Sequence, residues 1–488
     1  MRTTAYLMVW MLAAAGAPTF SQVWPLGADL VTSGEPTDRL FGQTVAVLDF
    51  DGDGDLEIAV GDPRAVDANG DDRPIVRIFA ETQFGWQAFH SFDLGGRVEL
   101  GASLAVGDFD EDGRDDLLMG APGFGSGGGA VYLMRHSDPN TIVIEAVVSN
   151  GGESGGRCGT SLAVGDFDGD SNLDFATGCP LATFDGFTDV GRIQVFRGFG
   201  TGVFSGGFLS QNSPDIAGGP EPGDLFGFSL ATGNVNGDTY DDLAVGVPGE
   251  DVDGGVDTGA IHVLYGSGTG LSGSGSQLWH QGSTGVPGVS GDDDGFGWSL
   301  ASGDFDRLGG IQPLLEDLAI GIPGDAENPG GSVLVLYGSV AGLTTDGVQS
   351  LTATNLAPPT QPGVDHRLGA RLVAGKLDDG STTDLVITAE GGPGFPISFD
   401  GSVCIVYGTG GQGIGPQSSC FSGGDYELPG ADGADFGAGL AIGKIDGPSA
   451  PPSLLIGSPE SATVYVLHHA LFADGFELGY AGRWVSND

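Results

Sequence analysis

Lysine is nearly missing from this chain. Only two occur in 488 residues, and lysine and arginine together number 17 against 65 aspartates and glutamates, for a net charge of −48. So few basic residues leave no cationic face to neutralise phosphates, which excludes nucleic acid as a partner. Long apolar runs are also scarce. The stretch 5–15 falls well short of the ~20 residues that span a bilayer, so no transmembrane segment is expected. That stretch follows Arg2 and precedes small residues, the pattern of a secretory signal occupying residues 1–21. Cysteine is limited to four. Cys158 and Cys179 flank one candidate hairpin and Cys404 and Cys420 another, which in an oxidising compartment predicts two local disulfides. Helical periodicity is absent throughout.

What the chain does have is glycine, 92 residues of it, with 40% apolar residues falling in short regular runs. Those runs repeat. LFGQTVAVLDFDGDGDLEIAVGDP (40–63) returns as LGASLAVGDFDEDGRDDLLMGAP (100–122), CGTSLAVGDFDGDSNLDFATGCP (158–180) and LFGFSLATGNVNGDTYDDLAVGVP (225–248). A longer copy, FGWSLASGDFDRLGGIQPLLEDLAIGIP (296–323), precedes two worn ones, at 368–392 and 436–459. The leading glycines, Gly42, Gly101, Gly159, Gly227, Gly297, Gly369 and Gly437, are 58 to 72 residues apart.

Each copy supplies two strand-like runs, and two more follow it, so each unit reads as a four-stranded antiparallel meander. One such sheet cannot bury both faces, whereas seven arranged radially can. The expected fold is all-β, a seven-bladed β-propeller. The last copy lacks a fourth strand. The segment 24–42 parallels 279–297, so the N-terminal strand is expected to complete the seventh blade and leave no open edge. The propeller is placed at 22–469, with repeats starting near 41, 100, 158, 226, 296, 368 and 436, and a tail at 470–488.

The Phe-Gly opening, the DxDxDG loop and the Gly-Ala-Pro ending resemble the FG-GAP repeat, the blade of integrin α-subunit heads and of many exported bacterial proteins. The resemblance covers roughly 24–468. It implies a seven-bladed propeller with calcium in several blade loops, and leaves function open, since such propellers serve adhesion, assembly or enzymatic roles.

The loop chemistry points the same way. In DFDEDGRDD, Asp108, Asp110 and Asp112 alternate, Gly113 permits a turn, and Asp116 closes the loop at position nine. Carboxylates ~4 Å apart repel by about 4 kcal/mol at an effective dielectric near 20, so such a loop needs a cation. An all-oxygen donor set selects calcium. An EF-hand is excluded because its twelfth position here is Met119 and its flanks are strands. The ligand sets are Asp49, Asp51, Asp53 and Glu57 in the first blade, and Asp108, Asp110, Asp112 and Asp116 in the second. The third has Asp166, Asp168, Asp170 and Asp174, and the fourth, less charged, has Asn234, Asn236, Asp238 and Asp242. The seventh-position carbonyls of Asp55, Arg114, Asn172 and Tyr240 add a ligand each. The fifth blade keeps Asp304, Asp306 and Asp317, but its longer loop leaves that site in doubt. Both lysines, Lys376 and Lys444, fall at the first ligand position of the worn loops, where an ammonium can pair with Asp378 or Asp446. Blades six and seven are therefore expected to be metal-free. A site with a Kd of ~0.1 mM in ~1 mM calcium contributes about 1.4 kcal/mol to folding.

The loops on the opposite face vary most, and analogy with integrin α heads makes that face the candidate surface for an extracellular protein or glycan. The bland alternative is a set of solvated acidic loops. The enzymatic alternative, a polysaccharide lyase or hydrolase, needs a base and charge neutralisers. Arg39, Arg64, Arg73, His366 and Arg367 are the candidates, while His262 and His280 are expected to pack on strands. No HExxH motif, no GxSxG on a strand-to-helix elbow and no glycosidase-like acid pair occurs outside the calcium loops, so no catalytic residue is assigned.

Overall fold

A computed structural model describes residues 28–468, apart from 33–38, 139–140, 150–154, 185, 199–202, 307–314, 357–366, 379, 390–400, 410, 412, 423–434, 446 and 448. The expected signal segment, His366, Asp446 and the tail lie outside the described residues.

Seven four-stranded antiparallel sheets form the ring. Their innermost strands are Thr44–Leu48, Leu104–Gly107, Ser161–Gly165, Leu230–Gly233, Leu300–Gly303, Leu368–Gly375 and Gly439–Gly443, each packed against the innermost strand of its neighbours. The second strands are the continuous apolar runs of the repeat. All six residues of each are buried, from Glu57–Asp62 in the first blade to Ser453–Ser458 in the seventh. A strand with sheet neighbours on both edges and packed layers on both faces has no polar side, so it loses the alternation of a half-exposed strand. The outermost strands are more exposed, as in Gly85–Asp93. The N-terminal strand Ala28–Thr32 pairs with Thr463–Leu467 and becomes the fourth strand of the seventh blade. Its register runs from Ala28 opposite Leu467 to Thr32 opposite Thr463.

The apolar core consists of seven separate clusters, one at each seam between adjacent blades. Residues that precede the leading glycines, such as Phe41, Leu100, Phe226, Phe296, Leu368 and Phe436, are fully buried there. The leading glycines all have φ between 81° and 97°, a region closed to most side chains. Their carbonyls face the preceding blade. A β-carbon on the second-strand glycines Gly61, Gly120, Gly178, Gly246, Gly321 or Gly457 would overlap the carbonyl oxygen of the next blade's leading glycine. That oxygen also accepts a hydroxyl: Thr44 to Gly101 (2.6 Å), Ser103 to Gly159 (2.8 Å), Ser161 to Gly227 (2.8 Å), Ser229 to Gly297 (2.7 Å) and Ser299 to Gly369 (2.6 Å). Disulfides join Cys158 to Cys179 and Cys404 to Cys420, the latter pair directly opposite across two strands.

Gly246→Ala places a methyl group against the Gly297 carbonyl and forces the fourth and fifth blades apart. Overpacking of this kind costs about 1–3 kcal/mol, and urea denaturation of the variant should show a loss in that range. An unchanged midpoint would mean that the seam is not close-packed.

Candidate metal centres

The acidic loops connect the first and second strands of each blade, and their conformation follows from short-range hydrogen bonds. The first-position acid folds back over its loop. Asp108 accepts from the Asp112 and Gly113 amides (3.1 and 2.9 Å), and Asp166 from Gly169, Asp170 and Ser171 (2.7, 3.1 and 2.9 Å). The fifth-position acid takes the seventh-position N–H: Asp53 from Asp55 (2.9 Å), Asp112 from Arg114 (3.0 Å), Asp170 from Asn172 (2.8 Å) and Asp238 from Tyr240 (2.8 Å). The closing acid is buried and accepts the second-position N–H. Glu57 bonds Phe50 (2.9 Å), Asp116 bonds Phe109 (2.9 Å), Asp174 bonds Phe167 (3.1 Å), Asp242 bonds Val235 (3.1 Å) and Asp317 bonds Phe305 (2.8 Å).

Four of these loops bring three carboxylate oxygens within 4.8 Å of one another: Asp49, Asp51 and Asp53; Asp108, Asp110 and Asp116; Asp166, Asp168 and Asp174; and Asp304, Asp306 and Asp317. The fifth-blade acids thus converge despite the long loop between them. In the fourth blade both side-chain amides are tied to Asp238. Asn234 donates to the Asp238 carbonyl (2.7 Å), and Asn236 donates to the Asp238 carboxylate (2.9 Å).

The donor sets fit a hard cation. Arg135 binds one oxygen of Asp110 at 3.0 Å, and Arg197 lies 3.4 Å from one oxygen of Asp168. The other oxygen of each, Oδ1, is buried without a partner, and an orphaned carboxylate oxygen within a carboxylate cluster is a ligand position. Burial, reinforced by the neighbouring carboxylates, pushes Glu57, Asp174 and Asp242 up to about 7 and Asp116 and Asp317 up to about 8. In the sixth blade the expected lysine pairing is not formed. Lys376 is exposed, and among the described residues no ion pair joins it to Asp378, because the side chain extends to water, where its charge is best solvated.

One set of loop residues escaped the sequence reading. The acid just before the closing position clamps the first loop residue of the preceding blade. Asp115 accepts the Asp49 N–H (2.8 Å) and donates its own N–H to the Asp49 carbonyl (2.9 Å). Asp241 does the same with Asp166 (2.9 and 3.0 Å), and Glu316 with Asn234 (3.0 and 2.9 Å). The acidic doublets RDD, YDD and LED were the available signal.

The face opposite the acidic loops holds a cavity of about 760 Å³ between blades four, five and six. Its walls follow second strands (Pro248, Asp325) or precede first strands (Leu225, Asp293, Trp298, Arg367). The basic residues named as catalytic candidates are not gathered here. Arg73 forms a surface ion pair with Asp93 (2.8 Å), and among the described residues of the set only Arg367 lines the cavity. His262 is buried beside Phe226 and pushed down to about 4 by burial. His280 lies just beyond the end of its strand. The histidines are less scattered than their sequence positions suggest, since His90 and His136 both pack on Phe50, at 5.8 and 4.7 Å.

The FG-GAP repeat family matches residues 41–73, 100–134, 159–196 and 226–264. Integrin alpha-PS2 of Drosophila melanogaster is 33% identical over 230 residues, covering 44% of this chain and 16% of that protein. Integrin alpha pat-2 of Caenorhabditis briggsae is 32% identical over 236 residues, covering 46% and 18%. Phosphatidylinositol-glycan-specific phospholipase D of Homo sapiens is 31% identical over 189 residues, covering 36% and 21%. The matched region therefore spans about a fifth or less of each relative's length.

The raised closing acids fix a pH dependence for the metal-free protein. A carboxyl whose folded pKa exceeds its unfolded value contributes stability at acid pH, and that contribution is lost as pH rises through the folded pKa. In chelator, the melting temperature should fall between pH 5 and pH 8. Added divalent cation should abolish or reverse that fall, and a flat chelator profile would contradict the electrostatics of the loops. Asp241→Ala leaves the part-buried Asp166 N–H unpaired and should cost about 1–3 kcal/mol, read by chemical denaturation.

Proposed function

We propose that this chain, a β-propeller with four FG-GAP repeat matches and similarity to integrin α subunits, is a secreted, non-catalytic binding module for an extracellular protein or glycan, stabilised by calcium. The orphaned oxygens of Asp110 and Asp168 carry the calcium part of this reading, because they lie among converging carboxylates whose free oxygens a bound cation would fill. Calcium ions are held by the loops of blades one to three through Asp49, Asp51, Asp53, Glu57, Asp108, Asp110, Asp112, Asp116, Asp166, Asp168, Asp170 and Asp174. The fourth blade contributes a weaker site through Asn234, Asn236, Asp238 and Asp242, and the convergence of Asp304, Asp306 and Asp317 supports another in the fifth. The carbonyls of Asp55, Arg114, Asn172 and Tyr240 complete the shells.

Export is supported by the N-terminal signal pattern and by the two disulfides. No helix among the described residues is long and apolar enough to cross a membrane. The ligand surface is the open face, where Trp298 and the walls of the 760 Å³ cavity combine a half-exposed aromatic platform with carboxylates and one arginine, a lining suited to polar extracellular ligands.

The mature protein, offered to a panel of polysaccharides and matrix proteins with calcium and with chelator, should be retained by one ligand class in calcium only. The polymer should keep its size. Shortened polymer would replace the binding module with an enzyme.

A further inference from the structure

We propose that the seam between the third and fourth blades holds a second kind of divalent-cation site, on the open face, built from the carboxylates of Asp224 and Glu250 and the amide oxygen of Gln211. Gln211 follows the outer strand of the third blade, Val203–Leu209. Asp224 precedes the inner strand of the fourth, Leu230–Gly233, and Glu250 follows its second strand, Asp242–Val247. The strand order therefore carries all three to the face opposite the acidic hairpin loops.

All three are buried, at 3%, 1% and 8% exposure for Gln211, Asp224 and Glu250. The Gln211 amide nitrogen donates to a Glu250 carboxylate oxygen, which fixes the amide beside that carboxylate. The Gln211 Oε1 and the Asp224 Oδ1 are both buried without any partner. The other oxygen of Asp224 accepts a single amide, from Glu221 at 2.6 Å. The remaining charges felt at this point, from Glu221 and Asp251, are also negative, and among the described residues no ion pair joins Asp224 or Glu250 to a base. Asp224 thus feels the charge of Glu250, Gln211 is held on Glu250, and each buried acid has one protein donor. Oxygen-only ligation with an irregular shell is calcium's preference.

The next seam supplies an internal control. QGSTGVPGVSGDDDGFG (281–297) repeats QNSPDIAGGPEPGDLFG (211–227), placing Gln281 and Asp294 where Gln211 and Asp224 stand. Asp325 follows the fifth blade's second strand as Glu250 follows the fourth's. There, protein donors satisfy the acids. Asp294 accepts from Gly291 and Ala326 (2.6 and 2.9 Å). Asp325 accepts from the Glu327 and Asn328 amides (3.1 and 3.2 Å), the Asn328 side chain (2.9 Å) and the Ser332 hydroxyl. Gln281 Oε1, like Gln211 Oε1, is buried without a partner, so the two seams differ at their acids: both oxygens of Asp294 and of Asp325 accept protein donors, while Asp224 keeps an unpaired oxygen. Gly223, Leu225, Pro248 and Gly249, the chain neighbours of the fourth-seam acids, also line the open-face cavity, so the ion would stiffen one wall of it.

The test is the number of calcium ions bound per full-length chain, by equilibrium dialysis, in the wild type and in the isosteric double variant Asp224→Asn/Glu250→Gln. One ion fewer in the variant, with an unchanged β-sheet spectrum, supports the site. An unchanged count overturns it and leaves the two acids as a pair sharing a proton. Should the double variant not fold, Gln211→Glu decides. A third carboxylate at a cation site enlarges the calcium-induced rise in melting temperature by several degrees over wild type, while a proton-sharing pair gives the same rise. Ligand retention enters neither measurement, so failure here is separate from failure of the binding-module reading.

Discussion

The ring depends on one close approach, made at six of its seven seams: a second-strand glycine lies against the carbonyl of the next blade's leading glycine. Neither residue tolerates a side chain, the first for lack of space and the second because its φ is positive. Together they allow two sheets to meet at backbone distance on the open-face side, and the apolar residue before the leading glycine fills the wedge below. The hydroxyl of Thr44, Ser103, Ser161, Ser229 or Ser299 then satisfies the carbonyl that this approach would otherwise bury. In the sixth blade Thr388 replaces the second-strand glycine, and its methyl lies close to Gly437. Deviation of the worn copies from the repeat thus begins at the seam as well as at the loop.

On the opposite face the same contiguity is electrostatic. The first loop residue of one blade is bonded on both its N–H and C=O to the acid doublet of the next, at Asp115, Asp241 and Glu316. Each acidic loop is therefore shaped partly by its neighbour, and an ion held in one blade would act on two. Adjacent blades are coupled at both ends of the barrel wall and by apolar packing between. That coupling is the requirement for repeats that cannot bury their own faces.

Most of this was legible because the repeat carries its own alignment. Phe-Gly, the alternating acids and the buried six-residue strand recur at fixed offsets, so seven weak signals reinforce one another. The closure by Ala28–Thr32 was legible from the missing fourth strand of the last copy. What escaped reading shares a physical cause: it depends on neighbours between blades. Asp115 and Asp241 stand just before the closing acids, outside the ligand spacing, and their side chains bond to the preceding blade. The fifth-blade acids looked separated because sequence distance across an insertion says nothing about where the insertion goes. His90 and His136 lie 46 positions apart, yet the fourth strand of the first blade and the third strand of the second carry both onto Phe50. Lys376 failed in the other direction, since a position in a loop does not oblige a long side chain to turn inward.

The seal between the N-terminal strand and Thr463–Leu467 has a mechanical reading. Because the pair is antiparallel, Ala28 and Leu467 sit at the same end of the ladder. Tension applied through both chain ends would peel the pair open one rung at a time, the weak direction for a β-ladder, and the seventh blade would give way before any other. Load entering through the open face and leaving through one end would instead pass across the seams, where whole sheets must slide to yield. A propeller closed in this way is a poor link in series and a firm platform, so anything it anchors is held best from its face.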